Sequence, residues 1–381
     1  MAEERRTSPV ELLWDLVFVF AVTQVTTLLS HDLSWAGFGR SMLVLALVWW
    51  AWSAFVWAAN AQDTDSATLR AILFAATLLI FIAGLALPEA FGDEAMLFAL
   101  TYAGVRFMHL ALYADASRKG NASWAAIAGF ALTVTIGMAL LVAGALADES
   151  ARVALWTAAA AIDYAGPAWL TRERLRGLQQ VAVAHFAERY SLFVIICLGE
   201  SIVAIGVGAG GRPIDGELVT AVSLALLITL ELWWTYFDNF AATAEDRLRA
   251  HPDPVLAAAD AYSYLHLVLV AGIIVFAVGV KIAVHGVDEP LDDAARLALC
   301  GGVAAYLAGH AAFRARMVGS VGVGKLVAAG VVLVVFAAGG ALPAWAVAGA
   351  VSAVLAVLCV TETTAERRGR GVAAARYAAS E

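Results

Sequence analysis

Charged residues are scarce in this sequence, and their scarcity excludes most soluble folds. Only 15% of the 381 residues are Asp, Glu, Lys or Arg, whereas a soluble domain usually has about 25%. Hydrophobic residues make up 62% and mean hydropathy is +0.80. The net charge of −8 is spread along the chain, so we expect no nucleic-acid partner. The composition predicts an integral membrane protein.

Cysteine is also rare, and the common catalytic motifs are absent. Cys197, Cys300 and Cys359 lie apart in apolar segments, without metal-ligand spacing or an evident disulfide pairing. HExxH, G-x-S-x-G and a Walker-type phosphate loop are missing, which removes the usual signatures of hydrolases and nucleotide-binding proteins. We therefore expect no cofactor, no metal, no catalytic residue and no enzyme activity.

Apolar stretches long enough to cross a bilayer follow one another along the whole chain. A transmembrane helix needs about 20 mostly apolar residues. The sequence therefore predicts an all-α polytopic protein of about twelve spans, near 10–30, 40–59, 69–88, 95–115, 124–147, 152–170, 188–208, 217–241, 258–284, 293–313, 324–341 and 343–361.

Basic residues between these stretches are unevenly distributed. Seventeen of the 24 Lys and Arg fall on the side of the N-terminus, in clusters at 5–6, 70, 118–119, 172–176, 247–249, 314–325 and 367–376. The opposite side has only Arg40, Arg152, Arg212 and Arg296. The positive-inside rule then predicts a multi-pass protein of the bacterial cytoplasmic (inner) membrane with both termini in the cytoplasm.

The two halves of the chain carry similar segments in the same order. The pairs are VELLWDLVFVFAVTQV with AERYSLFVIICLGESI, Trp49–Trp52 with Trp233–Tyr236, and Tyr102, Arg106, His109 with Tyr306, His310, Arg314. Units with an even number of spans repeat in parallel. We expect one six-helix repeat at 1–180, a second at 181–363, and a cytoplasmic tail at 364–381.

Four of these segments resemble the bacterial low temperature requirement A family. They are residues 10–25, the WWAW…AN…DTD run from Trp49 to Asp65, ERYSLFVIICLGESIVAI at 188–205, and LWWTYFD at 232–238. The resemblance covers most of the chain and implies a multi-spanning membrane protein, but it implies no biochemical activity and no site residues. A second likeness is to potassium channels of two six-helix repeats, whose first helix carries Phe-Ser-Asp. Here Asp15 follows Leu13 and Trp14 instead.

Acidic residues within apolar stretches are the candidate functional groups, because a carboxylate at the bilayer centre costs roughly 2.5–3.5 kcal/mol on insertion scales. Glu200 in the seventh span and Glu231 in the eighth lie near the midplane, and Asp238 shares the stripe of Glu231. Arg189, eleven residues before Glu200, is expected at the interface with its charged group reaching towards water.

The first span has two acids on one helix face, Glu11 and Asp15, with Gln24 pointing the opposite way. They form either the entrance of an ion or proton pathway or a pair that stabilises the helix N-terminus. Asp15 is the acid expected nearest to cytoplasmic water.

The remaining candidates surround the one basic residue near mid-depth. Arg106 shares a helix stripe with His109, and Asp163, Glu200 and Glu231 are acids at comparable depth, so we expect a buried ion pair. We take Arg106 as the counterion of Glu200 and Glu231. His266 and His310 lie in later spans as interhelical hydrogen-bond partners or as proton relays.

One arginine, Arg106, cannot neutralise all three acids at its depth. The excess of carboxylates suggests that the protein binds or transfers cations or protons. The leading hypothesis is a secondary transporter for an unknown small solute, coupled to protons or another cation. A cation channel of two repeats is the rival. A non-transporting membrane scaffold, sensor or intramembrane enzyme stays open, since Glu200 and Glu231 could approach each other. Substrate and oligomeric state do not follow from the sequence.

Overall fold

A computed structural model describes residues 7–60, 66–119, 124–166, 182–238 and 240–378, with the side chains at 125–126, 366 and 368–378 excepted. The basic clusters at 5–6 and 172–176, the acids Asp63 and Asp65, and the expected repeat boundary at 180 lie outside this part of the chain. The described residues form helices and no strand; one isolated bridge joins Pro290 and Pro343.

The described residues contain fourteen α-helices, numbered in chain order. They are α1 Pro9–His31, α2 Trp35–Asn60, α3 Ala67–Ala86, α4 Ala95–Arg118, α5 Trp124–Ala145, α6 Glu149–Ala165, α7 Val183–Ala209, α8 Gly216–Phe237, α9 Ala241–Arg249, α10 Pro254–Ala258, α11 His266–His285, α12 Asp293–Val318, α13 Val323–Ala338 and α14 Ala344–Ala378. A π-helix at Ala259–Leu265 joins α10 to α11. The last helix runs through the segment predicted to be a tail.

Short polar side chains fix where several helices begin. Ser66, Asp148, Asp215 and Asp292 each accept a hydrogen bond from the backbone N–H three residues later. Such caps satisfy backbone donors that have no partner within the helix. At the other end of α12, Gly319 takes a left-handed conformation with φ of 74°, which glycine adopts without the penalty of a Cβ.

Ten helices are long and apolar enough to cross a membrane, by length and composition, among the described residues. They coincide with ten of the twelve predicted spans. The other two, at 152–170 and 293–313, correspond to α6 and α12. The described part of α6 has 17 residues and is about 25 Å long, and the predicted span continues to 170, outside the described residues. Helix α12 is long enough but carries Asp293, Arg296, Arg314 and Arg316.

The chain divides into two compact units. The first comprises Met1–Ile196 and His251–Leu267. Within it α1 packs on α2 and α3, α4 on α2, α3 and α5, and α6 on α2 and α5. Its core is rich in large aromatic side chains, including Trp14, Trp49, Trp52, Tyr102 and Trp156. These wide side chains fill the space between helices and position the polar groups described below.

The second unit comprises Cys197–Ala250 and Val268–Glu381. In it α12 packs on α13, α14 packs on α8 and α13, and the short α9 packs on α12. Leu226, Val334, Val357 and Val360 are exposed on these helices. Exposed apolar side chains of this size on candidate spans are typical of surfaces that face lipid.

Helices α11 and α12 approach each other through glycine. A Cβ at Gly279 would lie 2.2 Å from the backbone nitrogen of Leu299, and one at Gly302 would lie 2.4 Å from that of Phe276. Small residues permit such backbone contact, and van der Waals packing is the main attraction between helices in lipid. This contact therefore requires glycine on both helices.

We predict that Gly279→Ala destabilises the protein by about 1–3 kcal/mol, because the added methyl group meets backbone atoms that cannot move independently. Gly330→Ala is the matched control, since nothing lies within 4 Å of a Cβ at that position of α13. Denaturant titration of both variants in detergent micelles measures the difference. Equal stabilities would contradict the close contact.

Candidate functional site

Arg189 connects the seventh span to the first through two buried carboxylates. Its Nε donates to Asp15 Oδ2 at 3.0 Å, its Nη2 also bonds Asp15, and its Nη1 donates to Glu11 Oε1 at 3.2 Å. Trp52 Nε1 donates to Asp15 Oδ1 at 2.7 Å. Glu11 and Asp15 are 0% exposed and Arg189 is 1% exposed, so the guanidinium neutralises acids that have no contact with water.

The N-terminal end of this cluster is also satisfied by polar groups. Glu11 Oε2 accepts hydrogen bonds from Ser8 N at 2.9 Å and Ser8 Oγ at 2.8 Å. His185 Nε2 lies 3.2 Å from the same oxygen. Glu11 therefore caps its own helix, which is one of the two roles considered for it, and it also binds the seventh span.

Two expectations for this region are corrected. Arg189 does not reach towards water, because its buried partners neutralise its charge within the unit. Asp15 has no direct contact with water either, since Arg189 and Trp52 occupy its oxygens. Glu188 does lie at the surface and accepts two hydrogen bonds from Thr7.

Arg106 forms a second buried ion pair. Its Nη2 donates to Asp163 Oδ1 at 2.7 Å, and both side chains are 2% exposed. Arg106 lies midway along α4 and Asp163 lies near the C-terminal end of α6. The assignment of Arg106 as counterion of Glu200 and Glu231 is therefore corrected: its counterion is Asp163, which lies 2.7 Å away in the same unit.

This pair is incompletely satisfied. Arg106 Nε and Nη1 have no hydrogen-bond partner among the described residues. Asp163 Oδ2 accepts no hydrogen bond of normal geometry from them, although the Trp50 indole lies beside the carboxylate. Buried polar groups are usually hydrogen-bonded, so open positions on both members of one ion pair suggest that another species binds here.

Arg106 lines a small cavity in the first unit, with a volume of about 40 Å³. His109, 2% exposed, also lines it. The remaining wall consists of aromatic, serine and alanine side chains: Trp50, Ser53, Ala54, Trp57, Tyr113, Phe130, Ala259, Ser263 and Tyr264. The cavity thus brings the side chain of Arg106, two of whose nitrogens have no hydrogen-bond partner among the described residues, against mainly aromatic walls.

A hydrogen-bonded cluster around Ser263 borders the same cavity. Ser263 Oγ lies 3.0 Å from Ser53 Oγ and 2.9 Å from Tyr190 Oη, and accepts from Trp57 Nε1 at 2.8 Å. Its carbonyl accepts from Trp49 Nε1 at 2.7 Å. Ser263 belongs to the π-helix, a conformation that alters backbone pairing and is frequent at functional sites.

The second unit contains the two acids predicted at the midplane. Glu231 on α8 is half-buried, and its Oε1 accepts a hydrogen bond from Ser352 Oγ at 3.0 Å. Its Oε2 has no hydrogen-bond partner among the described residues. Glu231 lines an open groove together with Trp234, Cys359 and Arg367. Glu200 is 4% exposed on α7.

The other predicted residues are dispersed. Asp238 is exposed where α8 ends, and Gln24 is half-buried in α1. His266 is fully buried, stacks on Tyr262 and lies 3.0 Å from the carbonyl oxygen of Ala261 through Nδ1. His310 is buried among Tyr236, Phe240 and Tyr306. None of these four lies in the Arg189 cluster or lines the cavity.

Comparison with known families fits this architecture of apolar helices. Residues 6–360 match the family described as bacterial low temperature requirement A protein (LtrA). The chain belongs to the LtrA family. It is also 32% identical over 283 residues to an uncharacterized protein of Rhizobium meliloti (strain 1021), covering 73% of this chain and 69% of that protein. No solved structure matches the chain.

The match confirms the family resemblance inferred from the segments at 10–25 and 188–205. In this LtrA-family protein those two segments meet in space, because they contain Asp15 and Arg189. Sequence reasoning missed this pairing, and it also missed His185 and Ser263. The usable signal was charge balance: a deep arginine requires an acid, and two acids lie in the first span.

We predict that Arg189→Gln destabilises the protein by about 3–5 kcal/mol, because it leaves two buried carboxylates without their cation. Arg249→Gln is the control; its 2.8 Å ion pair with Glu245 is exposed and should contribute less than about 1 kcal/mol. Detergent unfolding titrations compare the two variants. A second change, Asp15→Asn, should restore part of the loss in Arg189→Gln. Equal effects of Arg189→Gln and Arg249→Gln would contradict a buried cluster.

Proposed function

We propose that this LtrA-family protein is a secondary transporter of the bacterial cytoplasmic membrane, coupled to protons or another cation. Its partners would be the lipid bilayer and a small solute. Glu231 provides the principal support. Its carboxylate lies within an apolar candidate span, yet one oxygen lacks a hydrogen-bond partner among the described residues and the side chain borders an open groove. Such a carboxylate is suited to alternating protonation.

Equivalent hydrogen bonds support a two-repeat arrangement, which transporters of this kind commonly use. Tyr102 Oη on α4 donates to the carbonyl of Leu47 on α2 at 2.8 Å. Tyr306 Oη on α12 donates to the carbonyl of Leu232 on α8, also at 2.8 Å. Each acceptor shortly precedes a Trp-Trp pair. The two bonds therefore join corresponding spans of the predicted repeats.

The proposed transporter has both termini in the cytoplasm. Seventeen basic residues on one side and four on the other favour cytoplasmic termini. In this orientation the Glu11 and Arg189 cluster lies towards the cytoplasm, while Glu231 and Arg106 lie deeper. A proton reaching Glu231 would then cross part of the membrane thickness before it is released.

The rival functions make different demands on the same residues. A cation channel keeps its polar stripe in contact with water continuously, whereas a carrier exposes it to one side at a time. A scaffold, sensor or intramembrane enzyme needs no solute pathway. The neutralised Arg189 cluster is compatible with all of these functions. The functions differ in what they require of Glu231.

We predict that Glu231→Gln abolishes solute-driven proton movement, because an amide cannot carry the proton. The protein is reconstituted into liposomes that contain a pH-sensitive dye. A concentration jump of mixed sugars, amino acids, organic cations and carboxylates is then applied, and the change of internal pH is recorded against protein-free liposomes. A signal that saturates with solute concentration indicates a carrier.

Glu217→Gln is the matched control, since Glu217 is the same residue type in the exposed first turn of the same helix. It should retain the wild-type rate. Proton movement that persists unchanged in Glu231→Gln would remove this carboxylate from the mechanism. No signal above protein-free liposomes in the wild type would favour the scaffold or sensor.

A further inference from the structure

Arg106 brings hydrogen-bond donors to the cavity of the first unit. The guanidinium is almost fully buried and binds Asp163 through one nitrogen, while two further nitrogens have no hydrogen-bond partner among the described residues. An arginine presents donors in a planar fork that matches a carboxylate in geometry and charge. The open nitrogens therefore favour a ligand with oxygen acceptors.

The walls restrict the rest of that ligand. Trp50, Trp57, Tyr113 and Phe130 line the cavity, and the described part of its lining includes no acidic side chain and no second arginine or lysine. Apolar and aromatic walls with a few converging polar groups are typical of small-molecule sites. A carboxylate attached to a small apolar body satisfies both the guanidinium and these walls.

Charge balance determines what must accompany such a ligand. Arg106 and Asp163 together are neutral, so an added carboxylate would leave one net negative charge in a low-dielectric interior, which is unfavourable. One proton from water removes this charge if it binds Asp163 as the ligand takes Arg106. Asp163 Oδ2 accepts no normal hydrogen bond from the described residues and offers a position for that proton.

We propose that the cavity binds a small monocarboxylate at Arg106 together with one proton at Asp163. The ligand carboxylate displaces the Asp163 carboxylate from the guanidinium, and Asp163 takes a proton from water. The site is neutral before and after binding. As the substrate class of a transporter this inference rests on the proposed function, whereas the binding event can be tested without transport.

The groups around Asp163 permit this assignment. Tyr102 and Arg106 on α4 and Tyr164 on its own helix are the titratable side chains that interact with Asp163, and of these only Arg106 is charged. Helix α5, which packs against α6, contains no titratable residue, and the only charged residue of α2 is Arg40 near its N-terminus. Arg106 is therefore the nearest cation, and releasing it removes the main stabilisation of the Asp163 anion.

The test is isothermal calorimetry of benzoate binding to the purified full chain in nanodiscs. Measurement in two buffers of different ionisation enthalpy gives the number of protons taken up with each ligand. The wild type should bind benzoate with uptake of about one proton, and binding should weaken as pH rises. Benzamide, which has the same shape without the charge, should bind at least about tenfold more weakly.

Two variants separate the roles of the pair. Asp163→Asn removes the internal competitor for Arg106, so benzoate should bind at least about tenfold more tightly and without proton uptake. The double variant Arg106→Gln with Asp163→Asn keeps a hydrogen-bonding pair of similar shape, and it should remain folded while losing benzoate binding. Thermal melts establish folding in each case.

The matched control is the double variant Arg40→Gln with Glu149→Gln. It removes a partly exposed 2.5 Å ion pair that joins α2 to α6 in the same unit, and it should leave benzoate affinity and proton uptake unchanged. Loss of binding in this control would overturn the assignment to the Arg106 cavity.

Other outcomes would also overturn the proposal. They are no benzoate binding by folded wild type, binding without proton uptake, or wild-type affinity in the Arg106→Gln, Asp163→Asn variant.

Affinity that keeps rising from acetate through decanoate would indicate a membrane fatty acid rather than a small solute. Benzoate binding with proton uptake in a protein that moves no solute would support this site and contradict the transporter. Glu231-dependent flux without benzoate binding would support the transporter and contradict this site.

Discussion

A charge placed in an apolar interior must be neutralised, hydrogen-bonded or given access to water, and this requirement organises the first unit. Arg189 binds Asp15 and Glu11, and Arg106 binds Asp163, in both cases with almost complete burial. The Arg189 cluster joins α1 to α7, and the Arg106 pair joins α4 to α6. Since a buried ion pair broken on one side is strongly destabilising, these pairs also fix which helices are neighbours.

The two pairs differ in how completely they are satisfied, and that difference suggests different roles. Polar partners surround the Arg189 cluster: Trp52, His185 and Ser8 occupy its carboxylate oxygens. Such a cluster is suited to holding helices together. Both members of the Arg106 pair have hydrogen-bonding positions without a partner among the described residues, and Arg106 lines a cavity. This difference is the basis for proposing that the second pair binds a ligand.

Much of this architecture could be predicted, because candidate membrane spans are recognised in a sequence by their length and apolar composition. The ten candidate spans follow from runs such as those around Leu79 and Val270, where no charge interrupts the helix. The two predicted spans outside that set stay predictions: α6 has 17 described residues, and α12 carries charged residues near both ends. The family assignment was equally accessible, since the segments around Asp15 and Arg189 are distinctive.

The pairing of charges was harder to predict, because spacing along one helix does not reveal which neighbouring helix a side chain meets. Arg106 has three acids at similar depth, and depth alone could not select Asp163. Likewise Arg189 lies near the start of its span, and that position alone predicts a side chain that extends towards water. A search for mutual neutralisation across spans would have paired Arg189 with Asp15, whereas the cavity beside Arg106 required the three-dimensional arrangement of α2, α4, α5 and the π-helix.

The most direct test of the central claim, that the Arg106 and Asp163 pair can open to exchange partners, is infrared difference spectroscopy of the carboxyl groups. Spectra of the protein in lipid are recorded with and without benzoate. The account predicts that benzoate produces the carbonyl band of a protonated carboxylic acid in the wild type, and that this band is absent in Asp163→Asn. A wild-type spectrum in which benzoate leaves Asp163 ionised would contradict the account.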